Sequence, residues 1–437
     1  MSAKENLLGG APASPSSMVK PSLARNPLFQ LAAIIVAGGG ANFAFNTLSP
    51  LQEPIRIALG LSDNQMAVLQ GPALYLPAMF VGLPLGFLID RFPRPRLLAV
   101  FTALELAGTL LTALAPNFVV LLLARVLIGC MLTANSMNAS ALIVEWAQPH
   151  RRGRLLMILG ISQVAFISAA FALGGKLVAL GGGAPDAWRW AMLGLAAPLG
   201  LICLLTIWVR EPPRRSEAPP MLAWREAATS LWRLRAMLVP LSFGQVIVAL
   251  GFTAAMTWSS PIFARRFHLA PDRIGATMGI VLLVSGLLGC LLGGTLVDIC
   301  QRTGGPRRVV SLMIALALVQ VPAGFFSVMP SVVSVSLLLT VLCTICNMKG
   351  IIATTAASLV VPEDLLGLAF GVLCATSAVF SSAAPVVVSG MAGWFGGVAG
   401  IGQALTIVCV VTSLAGAATF AAGRRFFPGR SVLATPN

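Results

Sequence analysis

Three charged residues sit deep inside long apolar runs of this chain, and they are the first places to look for chemistry. Arg125 lies about eight residues, roughly 12 Å, into one run, and Lys349 lies about twelve residues, roughly 18 Å, into another. Glu105 occupies a third run. A charge at the centre of a bilayer costs at least about 2.5–3.5 kcal/mol, so each must face a cavity or a partner. The chemistry on offer is recognition by charge and hydrogen bond. Two structural alternatives stand beside it: Arg125 could pair with Glu105, and Lys349 could snorkel or lose its proton. Small polar groups supplement the charges. Asn42, Asn46 and Ser49 recur at i, i+4 and i+7 and share one helical face, while Gln245 and Asn347 lie in two further runs. Groups of this kind also join membrane helices to one another.

Other chemistries find no footing. The chain has no Gly-x-x-x-x-Gly-Lys-Ser/Thr phosphate loop. No pairing of nucleophile and base emerges, so an enzyme is not expected. His150 and His268 fall in or near loops, and no cofactor or metal site is expected. Cys343-x-x-Cys346 has the spacing of a redox or metal pair, but it lies on an apolar run and reads, like the other six cysteines, as small hydrophobes.

The elements that must position these residues are membrane helices. Hydrophobic residues make up 57% of the 437 positions and charged residues only 10%, too few to cover a soluble protein, where roughly a quarter are charged. The apolar runs reach about twenty residues, the length that crosses a hydrocarbon core. The fold expected is an all-α membrane protein of about twelve transmembrane helices in two pseudo-symmetric six-helix bundles. Spans are placed near 28–51, 64–89, 97–115, 117–145, 154–180, 188–209, 237–263, 274–299, 308–328, 331–361, 366–392 and 399–422. Residues 1–27 form a tail without a hydrophobic core, 28–210 the first bundle, 211–235 a polar linker, 236–423 the second bundle and 424–437 a second tail.

The formal charge of +15 follows the loops. With the N-terminus inside, 21 basic residues fall in inner segments and five in outer ones, which places both termini in the cytoplasm. No basic stripe with stacking aromatics suggests nucleic acid. The lipid bilayer is the surrounding partner, and short loops suit a monomer in a bacterial inner membrane.

The halves repeat weakly at an offset of 208: Leu61 matches Leu269, Gly71 matches Gly279, Gly86 matches Gly294 and Asp90 matches Asp298. At the inner end of the second span stands Gly86-Phe-Leu-Ile-Asp90-Arg91-Phe-Pro-Arg94-Pro-Arg96, echoed by Gly294-Thr-Leu-Val-Asp298. The glycine permits close approach of two helices, the aspartate accepts hydrogen bonds from a neighbouring helix end, and the arginines pair with acids across the loop. Together with Arg125 and Gly129, and with Glu145 and Arg151-Arg152-Gly153-Arg154, this pattern resembles the major facilitator superfamily over about residues 28–423. The segment Leu48-Ser-Pro-Leu-Gln-Glu-Pro-Ile-Arg56 with Leu59-Gly-Leu-Ser-Asp-Asn-Gln65 resembles bacterial spinster-like members. The acids those members usually carry in the first and fourth helices align with Phe45 and Leu132 here, so both are missing.

The resemblance implies secondary transport by alternating access, with the first, fourth, seventh and tenth helices lining a central cavity. On that frame Arg125 and Lys349 occupy facing helices and suit a small organic anion such as a carboxylate, with Asn42, Asn46, Asn347 and Gln245 as hydrogen-bonding groups. Gly86, Asp90, Arg91, Arg94, Glu145, Arg152, Gly294 and Asp298 would gate the cytoplasmic side. Glu105 is the candidate for coupling to a co-transported proton or other ion. Export of an amphiphile or lipid is the alternative cargo reading. A membrane sensor or scaffold that no longer transports is the alternative of another class.

Overall fold

A computed structural model describes residues 26–211, 229–230, 232–396 and 400–428; for residues 78, 81–87, 90, 149, 363–364 and 366–367 it describes the backbone alone. Residues 1–25, most of the linker and 429–437 lie outside that description, as do the side-chain positions of Gly86, Asp90, Glu363 and Asp364.

Every regular element described is helical. In chain order these are α1 (Pro27–Asn46), α2 (Gln52–Ala58), α3 (Asp63–Gln70), α4 (Pro72–Arg91), α5 (Arg94–Leu114), α6 (Phe118–Trp146), α7 (Arg152–Leu180), α8 (Ala187–Thr206), α9 (Arg235–Phe267), α10 (Pro271–Ala323), α11 (Val332–Ser358), α12 (Glu363–Ala392) and α13 (Gly400–Arg424). Local signals set several starts. Asn26 and Asn117 cap α1 and α6 by accepting from Leu28 N and Val120 N. Ser62 with Gln65, and Ser331 with Ser334, close reciprocal capping boxes on α3 and α11.

Three expected spans differ in continuity. The second is interrupted at Gly71, where ψ is −94° and Pro72 follows, so α3 and α4 meet at a bend. The eighth and ninth run together as the two limbs of α10. They are separated by Gly304 and by Gly305, whose φ of 61° is open to glycine but not to residues with a Cβ. Among the described residues ten helices are long and apolar enough to cross a membrane. The count takes α10 as one, although its 53 residues would span roughly 80 Å, far beyond a hydrocarbon core. It omits α4. Separate limbs and α4 would make up the expected twelve.

Two hydrophobic cores organise the bundle. One draws on residues between Ala33 and Val209, and the other on Leu241 to Phe427 with Ala67 and Phe171 reaching in from the first half. The halves touch along α7 against α10 and α4 against α12. Close backbone approach makes both seams. A Cβ on Gly175 would stand 2.9 Å from the Gly275 Cα, and one on Gly71 would strike the Ser382 carbonyl. The repeat pair Gly71 and Gly279 thus does the same work twice, since Gly279 sits against the Ser168 carbonyl and accepts from the Ser168 hydroxyl at 2.7 Å. The close approach expected at Gly294 is made one residue earlier. Gly293 faces Met348 of α11, whereas nothing lies within 4 Å of a Cβ on Gly294, which points off the contact face.

Candidate functional site

A cavity of about 400 Å³ lies between the halves. Phe45 of α1, Tyr75 of α4, and Leu132 and Thr133 of α6 line it from one side. Gln245 of α9, Thr354 of α11 and Ser377 of α12 line it from the other. Its described lining carries no formal charge. Phe45 and Leu132 both face this space and leave the wall apolar there.

Arg125 stands behind the wall. It is fully buried, its Nη2 donates to the Phe45 carbonyl at 2.9 Å and to Gln70 Oε1 at 3.1 Å, and its guanidinium carbon lies 6.0 Å from the centre of the Phe45 ring. Phe45 in turn stacks edge-on against Tyr75 at 5.5 Å. The pairing with Glu105 is not made, and among the described residues no carboxylate lies within ion-pair distance. Nη1 makes no hydrogen bond. Bonds to a charged group contribute about 1.5–3 kcal/mol each, yet oxygen dipoles do not balance a whole buried charge. Gln70, which sequence reasoning missed, links Arg125 to Ser49 and Gln52 at 3.2 and 3.4 Å. Its polarity beside the helix break was the available signal.

Lys349 is also fully buried, but its ammonium donates to Gln320 Oε1 in the second limb of α10. The lining contributed by α11 comes from Gly350, Ala353 and Thr354 instead. Arg125 and Lys349 are therefore not brought into one pocket. Of the neutral candidates, Gln245 lines the cavity and keeps a buried Oε1 without a partner. Asn42, Asn46 and Asn347 each donate back to a carbonyl four residues earlier, Gly38, Asn42 and Cys343, at 3.3, 2.8 and 2.9 Å. Trp258, near the C-terminal end of α9, is wholly buried and donates to the Pro385 carbonyl at 3.2 Å.

At the expected inner end, Arg94 and Glu145 form an ion pair that joins α5 to α6 within the first half. Asn138 Nδ2 donates to the Arg94 carbonyl at 2.9 Å. Arg152 has a buried Nε without a partner, and Arg91 and Asp298 are exposed. Glu105, fully buried on α5, meets Asn135 of α6, whose Nδ2 lies 3.0 and 3.1 Å from its two oxygens.

The opposite end holds a cluster that the spacing did not reveal. Arg265, at the end of α9, donates to Asp63 through both terminal nitrogens and to Glu53 through Nε at 2.9 Å. Arg56 also bonds Glu53, at 2.6 Å. Two acids and an arginine within twelve residues were visible in the sequence; their partner, some two hundred residues away, was not. A larger cavity of about 610 Å³ opens beside this cluster, but its arginines are engaged: Arg265 by carboxylates, and Arg266 by the Ser327 and Val328 carbonyls at 2.7 and 3.1 Å.

Comparison with known proteins agrees with this arrangement. The model of the Major Facilitator Superfamily matches residues 31–385. The chain is 29% identical over 198 residues to the mouse solute carrier family 2 facilitated glucose transporter member 10, which covers 45% of this chain and 36% of that protein. It is 24% identical over 267 residues to the Drosophila melanogaster protein spinster, covering 57% of this chain and 42% of that protein. The matches thus span less than half the length of these relatives. A crystal structure of a bacterial homologue of the human lysosomal transporter Spinster, inward-facing and unoccupied, superposes with a TM-score of 0.80 at 19% identity, covering 93% of this chain and 99% of that one. With a helical bundle in two packed halves around a central cavity, the chain belongs to the Major Facilitator Superfamily.

Proposed function

We propose that the protein is a secondary active transporter that carries a small organic anion with an apolar body by alternating access. The observation that supports this reading is Arg125: a buried guanidinium with an unsatisfied nitrogen and, among the described residues, no carboxylate within ion-pair distance, one aromatic layer behind the cavity. A buried cation gains from a counter-charge, and a carboxylate cargo supplies one transiently. The apolar wall accepts the body of the cargo, while Gln245, Thr133, Thr354 and Ser377 offer neutral hydrogen bonds. Lys349 would act on the cargo through its field rather than by contact, since Gln320 holds its head. Asn42, Asn46 and Asn347 would serve through their unspent carbonyl oxygens.

The cytoplasmic latch of this reading consists of Arg94 with Glu145, aided by Gly86, Asp90, Arg91, Arg152, Gly294 and Asp298. Both termini lie in the cytoplasm, the chain works as a monomer in a bacterial inner membrane, and the bundles divide at 211–235.

Uptake of a panel of mono- and dicarboxylates into proteoliposomes, under imposed pH gradient and membrane potential, tests the proposal. Saturable uptake that falls about tenfold or more in Arg125→Gln is expected, the loss of one charge-assisted contact. A second reading, transport of a neutral amphiphile, draws on the uncharged lining. Saturable flux of such compounds with none of carboxylates would establish it instead.

A further inference from the structure

Glu105 and Asn135 have complementary deficits. The Glu105 carboxyl is fully buried near the middle of α5, about eleven residues or roughly 16 Å from its inner end. Among the described residues its side-chain donor is Asn135 Nδ2, which reaches both oxygens. The hydroxyls beside it are spent on backbone: Thr102 donates to the Leu98 carbonyl and Thr109 to the carbonyl of Glu105 itself, at 2.8 and 2.9 Å. Asn135 meanwhile keeps a buried Oδ1 that no donor satisfies. One proton removes both deficits. A carboxylic acid carries no charge, and its O–H can donate to the Asn135 carbonyl after a turn of that amide, closing a paired ring of two hydrogen bonds.

No opposing charge stands against the pair. From α6 the facing group is the neutral Asn135, and from α8 it is the Cys203 thiol; neither α1 nor α4 presents a cation to Glu105 among the described residues. A polar row leads out. Asn138, three residues along α6, has its own unpartnered Oδ1 and donates to the Arg94 carbonyl, and Arg94 meets the partly exposed Glu145 at the expected inner end. Gly129, Leu132 and Thr133 of the same helix line the cavity, and Leu132 stands one turn from Asn135 on the adjoining face. One helix therefore carries both a wall of the cavity and a member of this pair.

We infer that Glu105, held by Asn135, is the binding site of the coupled proton, reached from the inner surface past Glu145, Arg94 and Asn138. In the step, one O–H bond of hydronium breaks as an O–H bond forms at a Glu105 oxygen, water is left, and no other bond changes. Asn135 is a positioning residue. The inference rests on the transporter reading but not on the identity of the cargo.

The test uses the purified full chain in liposomes and needs no cargo. Infrared difference spectra on acidification are expected to show a carboxylic-acid C=O band that Glu105→Gln removes and Asn135→Ala shifts in frequency. Spin labels introduced by Arg96→Cys and Arg302→Cys, at the exposed inner ends of the two halves, are expected to report a pH-dependent distance. In Glu105→Gln that distance stays at its acidic value at every pH. Should that variant fail to fold, the band shift in Asn135→Ala decides. A band that survives Glu105→Gln, a Glu105 that never titrates, or pH-dependent distances unchanged in that variant would overturn the inference. Because neither readout involves an anion, its failure is separate from failure of the cargo assignment.

Discussion

Asp63 takes the Arg265 guanidinium end-on, with Oδ2 2.9 Å from Nη1 and Oδ1 2.6 Å from Nη2. The two residues belong to opposite halves, so this bidentate pair ties the halves together at the expected outer end. No ion pair does the same at the inner end among the described residues. Arg56 stands 3.9 Å from the same Asp63 carboxylate and already holds Glu53, which leaves both acids a cation when Arg265 departs. Opening the outer end then costs the bond to Arg265 without stranding its partners.

Arg265→Gln should therefore favour the outward-open state. The pair is only partly buried, so solvent screening limits its worth. Labelling of a cysteine introduced by Gln403→Cys, in the outer cavity, should quicken by a factor on the order of ten, the shift that about 1.4 kcal/mol produces. Unchanged labelling would make the pair incidental.

The glycine seam predicts a steric counterpart. Gly275→Leu places a side chain into the Phe171 carbonyl and the Gly175 backbone, neither of which can rotate away. Overpacking of this kind costs about 1–3 kcal/mol. The variant should melt earlier in detergent and show the same accelerated outer labelling, whereas Gly153→Ala, with nothing within 4 Å, should leave both unchanged.

Lys349 and Gln320 can be separated by a double-mutant cycle. Gln320→Leu strands a buried ammonium and should lower the melting temperature, by an amount corresponding to about 1–3 kcal/mol. Adding Lys349→Met removes the stranded group and should recover most of the loss. If the double variant is also fully active, Lys349 serves packing alone. Loss of carboxylate uptake with restored stability would show its field acting on the cargo.

Much of this architecture was legible, because membrane helices announce themselves by length and apolarity. Gly71 and Gly279 could be paired from their spacing, and the structure gives the reason, since both press a helix against the other half. What escaped depended on helical phase or on distant partners. Gly293 rather than Gly294 meets α11, a difference of one residue and about 100°. Trp258 lay near a helix end, where burial against Pro385 was invisible without the neighbouring helix. Glu105 was an evident partner for Arg125 by charge, yet the fold turns it to Asn135 and gives Arg125 only carbonyl oxygens.

On the proposed function that last separation leaves Arg125 to meet an anionic cargo, and the most direct measurement compares an acid with its uncharged amide. Equilibrium binding of p-aminohippurate and of its uncharged primary amide should be measured on the purified protein and on Arg125→Gln. The account predicts that the wild type prefers the acid by about tenfold or more, and that the preference disappears in the variant while amide binding stays the same. Equal affinity for acid and amide in the wild type, or an acid preference that survives Arg125→Gln, would contradict it.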